Sequence, residues 1–340
     1  VLFSSSNYLG LAEHPAVTEA AADALNRFGA GSGGSRLTTG TTNLHTQVER
    51  DFARFLGYED AVFFSAGFMA NAGVLQALAG PGTLIVSDER NHASIIDGCR
   101  LAKAQGATVR VSRHRDPAHV DELLRGHSGE AIVVTDGLFS MDGTLAPVPE
   151  LIAVCRAHGA ALMVDDAHGT GTLGATGRGI TEHFSLGDDH PDILVATSSK
   201  ALGDEGGAVA ASAPVAALLR QKARTFVYST SSTPATCAAV SAAIGVLEGE
   251  ESPVPALHRN IRRLASQLGM GEWASPIIPV PIGDETRAVN ASARLREAGY
   301  FVPAIRWPTV PHGAAMLRVT VMATHTDAQI DGLAHAISRL

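Results

Sequence analysis

The sequence is poor in cysteine, in basic side chains and in long apolar runs, and each shortage excludes a class of protein. Its three cysteines, Cys99, Cys155 and Cys237, are odd in number, far apart and without metal-ligand spacing, which argues against a disulfide scaffold. The formal net charge of −8 argues against broad nucleic-acid binding, because that requires a basic face. No uninterrupted apolar run approaches the roughly 18 residues that a membrane helix needs. We therefore expect a soluble, cytoplasmic protein with neither nucleic acid nor membrane as a partner.

Length and turn residues predict two domains. A chain of 340 residues exceeds the size at which one hydrophobic core usually stops growing. A long helical pattern over Ala235–Glu248 is followed by the turn-rich segment Gly249–Pro253. We expect a large domain over residues 15–249 and a small α+β domain over residues 250–340. Residues 1–14 are expected to be the remnant of an N-terminal arm, since the sequence does not begin with methionine.

The large domain has the pattern of a mostly parallel α/β sheet. Short β-branched segments alternate with helical patterns, such as a helix from Val148 to His158 with Gly159 as its stop. Another helix is predicted from Pro15 to Phe28. The seven predicted strands are Ala61–Phe64, Leu84–Ser87, Thr108–Val111, Ala131–Thr135, Ala161–Val164, Ile193–Ala196 and Ala208–Ala211.

The small domain has weaker signals. Alternating stretches near Phe301–Arg306 and Met316–Val321 predict strands. Thr326 and Gln329 form a capping box ahead of a final apolar helix.

Polar residues are concentrated just beyond the carboxyl ends of four predicted strands. In an open parallel sheet these ends meet at one edge, where ligands bind. We therefore expect the four loops to converge on one cleft. The pairs are Asp88 and His92, Asp136 and Ser140, Asp165 and His168, and Thr197 and Lys200.

Lys200 and Asp165 fit the requirements of pyridoxal 5'-phosphate. The cofactor aldehyde needs an amine that can lose its proton, and the pKa of lysine falls readily on desolvation. The cofactor accepts electrons only while its pyridine nitrogen stays protonated, which a neighbouring carboxylate favours. Lys200 is thus predicted to form a Schiff base with the cofactor, and Asp165 to face the ring nitrogen. Taken alone, a lysine is more often solvated surface and a strand-end aspartate often only caps a loop.

Three further residues complete this cofactor site. The turn at Gly67 passes from a strand into a helix, whose first N–H groups are suited to a phosphate. Thr197, three residues before Lys200, can add its hydroxyl, and His92 can lie flat on the ring. Gly29–Gly34 matches the dinucleotide pattern Gly-x-Gly-x-x-Gly but follows a helix, so we discount it.

Motifs along nearly the whole chain resemble those of the α-oxoamine synthases, which are fold-type I enzymes that use pyridoxal phosphate. The resemblance implies a homodimer with shared active sites and a decarboxylating condensation of an amino acid with an acyl thioester. The matching motifs are Ser6–Leu11, Gly31–Arg36, Asn91–Ser94, Phe139–Gly143, Asp165–His168 and Ser199–Gly203.

The resemblance also assigns roles to individual residues. Lys200 forms the Schiff base and moves protons, Asp165 pairs with the pyridine nitrogen, and His92 stacks on the ring. Near the cofactor's phenolic oxygen lie His168 and Ser140. Gly67, Phe68 and Thr197 are expected to form the phosphate cup, and Ser229 or Thr230 to reach the phosphate in the other subunit. Asn7, Arg306 and Arg318 are expected to bind substrate, Arg318 through the amino-acid carboxylate.

Within this family the segment Ala304–Pro311 is most similar to the branch that joins L-alanine to pimeloyl-CoA or pimeloyl carrier protein in biotin biosynthesis. Arg306 would suit an acyl chain that ends in a carboxylate. Three positions depart from the family pattern, Asp136 and Asp166, where glutamate is usual, and Trp307, where proline is more familiar.

Two kinds of alternative remain open from the sequence. The first is a sister activity: 2-amino-3-ketobutyrate CoA ligase, serine palmitoyltransferase or 5-aminolevulinate synthase. The second is a metal-dependent hydrolase built on Asp88, His92, Asp165 and His168, since histidine and carboxylate near strand ends can hold zinc.

Overall fold

The computed structural model describes all residues from 1 to 340. Seven strands form one sheet in the order β1-β7-β6-β5-β4-β2-β3, in which β7 alone runs antiparallel to its neighbours. This confirms the predicted mostly parallel α/β architecture, and each strand lies within one residue of its predicted bounds. The strands are β1 (Asp60–Phe64), β2 (Leu84–Asp88), β3 (Thr108–Ser112), β4 (Ala131–Asp136), β5 (Ala161–Asp165), β6 (Ile193–Thr197) and β7 (Gly207–Ala211).

Helices cover both faces of this sheet. Successive residues of a strand point to opposite faces, so Phe63 and Val133 join one apolar cluster while Phe64 and Val134 join the other. Both faces are buried, which explains why the central strands read as continuous apolar runs. The helices of this part are α1 (Pro15–Phe28), α2 (Asn43–Leu56), α3 (Gly67–Leu78), α4 (Ala93–Ala104), α5 (Pro117–Leu124), α6 (Val148–His158), α7 (Ile180–His183), α8 (Ala213–Lys222), α9 (Arg224–Val227) and α10 (Pro234–Glu248).

The C-terminal part has a second, three-stranded antiparallel sheet in the order β8-β10-β9. The proposed domain boundary at residue 249 falls in the turn between α10 and α11. The apolar cluster on one face of the large sheet continues into this part through Ile277, Leu317 and Ile330. The elements are α11 (Val254–Gln267), β8 (Ile277–Gly283), α12 (Glu285–Glu297), β9 (Ala304–Ile305), β10 (Ala315–Thr320) and α13 (Asp327–Ile337).

The strand predictions were less accurate here. The stretch Phe301–Arg306 contributes only Ala304 and Ile305 to the sheet, because Pro303 has no N–H to donate. Strand β8 was not predicted, since Pro279 and Pro281 interrupt its pattern; it lies at a sheet edge, where proline is tolerated. The capping box between Thr326 and Gln329 is confirmed at the start of α13.

The N-terminal segment lies against the small sheet. The Phe3 N–H donates to the Phe301 carbonyl at 3.0 Å, and the Thr320 N–H donates to the Phe3 carbonyl at 2.8 Å. Phe3 is fully buried and its ring lies 3.9 Å from that of His325. These contacts hold the following residues, up to Tyr8, over the edge of the large sheet. No helix of the chain combines the length and apolar character needed to cross a bilayer.

Candidate active site

The carboxyl ends of β4, β5 and β6 open into a cavity of about 250 Å³. It collects residues from four separate loops and from the start of α3. Eight predicted site residues line it, namely Gly67, Phe68, His92, Ser140, Asp165, His168, Thr197 and Lys200.

Lys200 lies in the turn after β6, with its amine in the cavity. Thr197 Oγ1 donates to the Gly206 carbonyl at 2.8 Å, which closes the loop that carries the lysine. Burial lowers the pKa of the Lys200 amine from its usual 10.5, against the opposing charges of Asp165 and Asp136. The chain contains only three lysines, and the other two, Lys103 and Lys222, are exposed. Lys200 is therefore the one lysine placed to react inside the cavity.

Asp165 is a buried carboxylate held in a fixed orientation. Asn71 Nδ2, on α3, donates to Asp165 Oδ2 at 2.6 Å and to Ser94 Oγ at 2.9 Å. The Ala167 N–H donates to Asp165 Oδ1 at 3.0 Å. These donors orient the carboxylate toward the cavity without supplying a full positive charge, so a bound cation would be its natural partner.

One end of the cavity is suited to a phosphate. Helix α3 begins there, and its N-cap residue, Ala66, has no side chain that could cap the first N–H groups. A Cβ on Gly67 would lie 3.2 Å from Thr197 Oγ1, and a Cβ on Gly207 would lie 2.6 Å from the Gly67 Cα, so the backbone is closely packed. Ser65 does not act as the N-cap; its hydroxyl donates to the Thr230 carbonyl at 3.2 Å. The free N–H groups form an anion site, and the Thr197 hydroxyl, whose proton points to the Gly206 carbonyl, lies beside it.

His92 is fixed at the N-terminus of α4. The Nδ1 atom of its ring accepts from the Ser94 N–H at 3.3 Å and lies 2.7 Å from Ser94 Oγ. The backbone N–H of His92 donates to Asp136 Oδ1 at 3.2 Å. Burial, together with the neighbouring charge of Asp165, raises the pKa of the Asp136 carboxyl well above its usual range. Asp136 thus supports the His92 backbone, and its burial favours the uncharged form of the carboxyl.

His168 and Arg318 meet at the opposite wall. His168 Nδ1 lies 2.8 Å from the hydroxyl of Tyr8, and both side chains are buried. Burial, with the positive charges of Lys200 and Arg318, lowers the pKa of His168 well below its usual value, so the ring is neutral. Arg318 Nε donates to the Ser140 carbonyl at 2.6 Å, which places the guanidinium beside the cavity.

Asp166, behind the cavity wall, is a buried carboxyl group whose pKa is strongly raised. Its Oδ2 accepts from the Ile180 N–H and from Thr170 Oγ1, both at 3.1 Å, whereas Oδ1 has no partner. Burial raises its pKa from the ordinary 3.8 to about 8. Because the folded pKa exceeds the unfolded one, the folded state holds an extra proton between these values, and stability is lost as the pH rises from about 4 to 8.

Asp166→Asn should remove this pH dependence, because an amide does not titrate. Between pH 5 and pH 7 the difference in unfolding free energy, variant minus original protein, should rise by about 1 kcal/mol per pH unit. Urea denaturation of both proteins at matched concentration measures this difference. A difference that stays constant over the interval would show that Asp166 is ionised in the fold.

The remaining predicted site residues lie outside this cavity. Arg306 is exposed and lines a groove of the small domain with Trp307. Asn7 accepts from the Ala12 N–H at 3.4 Å and does not line the cavity. Ser229 and Thr230 lie near the surface, Thr230 within the turn that accepts from Ser65. Their predicted roles stay predictions.

Sequence reasoning missed Asn71, Ser94 and Tyr8. Asn71 is a buried polar residue in the otherwise apolar first half of α3. A single polar residue among apolar ones was the sequence signal that could have indicated a buried hydrogen bond. Ser94 lies two residues after His92 in the motif Asn91–Ser94. Tyr8 lies in the first quoted motif, but nothing in the spacing indicates a contact with a residue 160 positions away.

The metal-hydrolase alternative does not fit the geometry. Asp88 Oδ1 lies 3.0 Å from His114 Nδ1, and its Oδ2 accepts from the Arg115 N–H at 2.8 Å, so its carboxylate is directed away from His168. No group of three or more histidine, cysteine, aspartate or glutamate side chains is arranged to hold a metal ion.

The cavity residues fit pyridoxal phosphate. The closely packed backbone at Gly67 and Gly207 leaves uncapped helix N–H groups that would hold the phosphate, and Lys200, whose pKa is lowered, would bind the aldehyde. The carboxylate of Asp165 supplies the charge that a pyridinium needs.

Fold and cavity together define a fold-type I transferase that depends on pyridoxal phosphate. The chain belongs to the aminotransferase class I and II family, whose model matches residues 1–337. Two curated relatives and one solved structure refine this assignment.

The 8-amino-7-oxononanoate synthase of Geobacter sulfurreducens is 45% identical over 351 residues, covering 100% of this chain and 88% of that protein. The biotin biosynthesis bifunctional protein BioWF of Corynebacterium kroppenstedtii is 47% identical over 382 residues, covering 100% of this chain but 53% of that protein. The chain thus spans about half the length of the bifunctional relative. A variant of serine palmitoyltransferase from S. paucimobilis, solved with a bound PLP-myriocin aldimine, has a TM-score of 0.94 at 33% identity, covering 100% of this chain and 86% of that one.

Proposed function

We propose that this chain condenses L-alanine with a pimeloyl thioester, either pimeloyl-CoA or pimeloyl carrier protein, to give 8-amino-7-oxononanoate, CO2 and the free thiol. The observation that carries the proposal is the convergence of Lys200, Asp165, His92 and His168 on one cavity, in a chain 45% identical to an 8-amino-7-oxononanoate synthase. Bound pyridoxal phosphate supplies an aldehyde that captures the amino acid and a ring that stores the electrons released from its α-carbon.

Lys200 is the proposed proton carrier of the reaction. Its lowered pKa leaves a larger neutral fraction than an exposed lysine would have, so the Nζ atom can accept the α-proton of alanine and return it later. Asp165 stays oriented by Asn71 and keeps a positive charge at the pyridine nitrogen favourable.

The cavity walls fix the amino acid relative to Lys200. Arg318 is proposed to bind the alanine carboxylate, since its guanidinium lies beside Ser140 at the cavity wall. His92, which lines the same cavity, would cover one face of the cofactor ring. The neutral ring of His168 can donate one hydrogen bond to an oxygen in the cavity. A protonated ring would be repelled by the positive charge of Lys200.

The acyl donor is proposed to enter from outside the cavity. Arg306, exposed on the loop after β9, would bind the free carboxylate of the pimeloyl chain. We propose a homodimer in which Ser229 and Thr230 reach the phosphate in the other subunit, and their surface position supports this arrangement. The three buried free cysteines support a reducing, cytoplasmic setting.

A substrate panel tests the proposal. Holoenzyme is incubated with alanine, glycine or serine, each combined with pimeloyl-CoA, acetyl-CoA or palmitoyl-CoA, and the products are identified by mass spectrometry. We expect 8-amino-7-oxononanoate from alanine and the pimeloyl thioester, at a kcat/KM at least about tenfold above any other pair, a discrimination typical of one to a few methylenes in a pocket. Preference for serine with palmitoyl-CoA would instead support the serine palmitoyltransferase reaction, which the solved neighbour favours.

A further inference from the structure

Tyr8 reaches the candidate active site from the N-terminal segment. Its side chain is fully buried, and its hydroxyl lies 2.8 Å from His168 Nδ1. His168 lines the cavity, whereas Tyr8 does not. The hydrogen bond from Tyr8 toward the cavity therefore runs through the imidazole of His168.

The Tyr8 backbone is held in place by both parts of the chain. Its carbonyl accepts from the Ala323 N–H at 2.7 Å, just beyond β10, and its own N–H donates to the Ser6 carbonyl at 2.8 Å. With the backbone fixed and the ring buried, the hydroxyl has little freedom to move away from His168. The contact is thus a fixed feature of the folded chain.

The surroundings of Tyr8 define the direction of this hydrogen bond. His168 Nδ1 is the one hydrogen-bond partner of the Tyr8 hydroxyl, and the phenol is fully buried. A phenolic proton that did not point to Nδ1 would be buried without an acceptor, so the hydroxyl donates to the imidazole. The charged or titratable groups that face His168 are Lys200, Arg318 and His92, all of which disfavour a second proton on the ring.

We propose that Tyr8 is a positioning residue that donates to His168 Nδ1 and thereby holds the imidazole as the Nε2–H tautomer. A neutral imidazole whose Nδ1 accepts must carry its proton on Nε2, the nitrogen left to face the cavity. His168 then presents a donor, never an acceptor, to the oxygen of the bound cofactor or substrate. The inference rests on the proposed function, because it takes the cavity to be the cofactor site.

Tyr8→Phe in the holoenzyme tests the consequence for the cofactor. We expect kcat to fall about tenfold, the factor that corresponds to loss of one buried hydrogen bond, with the KM for alanine changed less than about twofold. The pH at which the visible absorption of the bound cofactor changes should shift by about half a unit or more. The reason is that the cofactor's phenolic oxygen would lose a firmly oriented donor, the Nε2–H of His168. A merely structural role for Tyr8 would leave that midpoint unchanged.

Tyr58→Phe is the matched control. It removes the hydroxyl of a half-buried tyrosine that donates to the Pro191 carbonyl at 2.9 Å, beside the opposite end of the sheet. It should leave kcat and the pH midpoint at the original values. If both variants shift the midpoint equally, the effect is general loosening of the fold and the inference is wrong.

Nitrogen-15 NMR of histidine-labelled apo-protein tests the tautomer without cofactor or substrate. The His168 signals are assigned by their loss in His168→Gln. We expect an unprotonated Nδ1 and a protonated Nε2 in the original protein, and a mixture of tautomers in Tyr8→Phe. A proton on Nδ1 in the original protein would overturn the inference even if the substrate panel succeeds, whereas a failed panel with the expected tautomer would overturn only the proposed reaction.

Discussion

Lys200→Ala should abolish both turnover and the visible absorption of the bound cofactor. The variant keeps the cavity but removes the only amine inside it, since the other two lysines are exposed. Without an amine to bind the aldehyde covalently and to move the α-proton, we expect kcat to fall by at least about 10³-fold. Steady-state kinetics and the absorption spectrum of the purified holoenzyme measure the two effects.

Lys222→Ala is the matched control for this prediction. It removes an exposed lysine at the end of α8 and should leave kcat and the spectrum unchanged. If Lys200→Ala kept substantial turnover together with the visible band, another amine would have to hold the cofactor, and the assignment of Lys200 would be wrong.

Asp165→Asn should weaken cofactor binding by about 10²- to 10³-fold. The variant keeps the shape of the side chain but removes the charge that faces the pyridinium, and breaking a buried ion pair costs about 3–5 kcal/mol. The dissociation constant of pyridoxal phosphate, measured by fluorescence titration of the apo-protein, gives the effect directly. The spectrum of the remaining holoenzyme should also indicate a ring nitrogen that has lost its proton.

Asp136→Asn separates this charge effect from a general effect of altering a buried carboxyl. Asp136 and Asp165 are paired on the adjacent strands β4 and β5, and both line the cavity. Because burial raises the pKa of the Asp136 carboxyl and favours its uncharged form, its replacement by an amide should change the dissociation constant far less, by under about threefold. An equal loss in both variants would contradict the role given to Asp165.

Much of the seven-stranded sheet and its helices could be predicted from the sequence, because their signals are local. Apolar runs such as Ala131–Asp136 end in polar residues where a buried strand reaches the sheet edge. The parallel arrangement then brings residues from distant loops together without further information. Lys200 and Asp165 could be placed in one cleft for this reason.

The contacts that orient these groups could not be predicted, because they depend on packing between distant segments. Asn71 meets Asp165 across 94 positions of the chain, and Tyr8 meets His168 across 160. Neither pair has a spacing that periodicity or capping rules can detect. Strand β8 was hidden for a different reason, since its two prolines resemble turn signals until the strand is seen at a sheet edge.

The most direct test of the central claim is to identify the lysine that binds the cofactor. Holoenzyme is reduced with borohydride, digested, and searched by mass spectrometry for the pyridoxyl phosphate adduct on peptides that contain each of the three lysines. We expect the adduct on Lys200 alone. An adduct on Lys103 or Lys222, or a protein that binds the cofactor yet yields no adduct, would contradict the account.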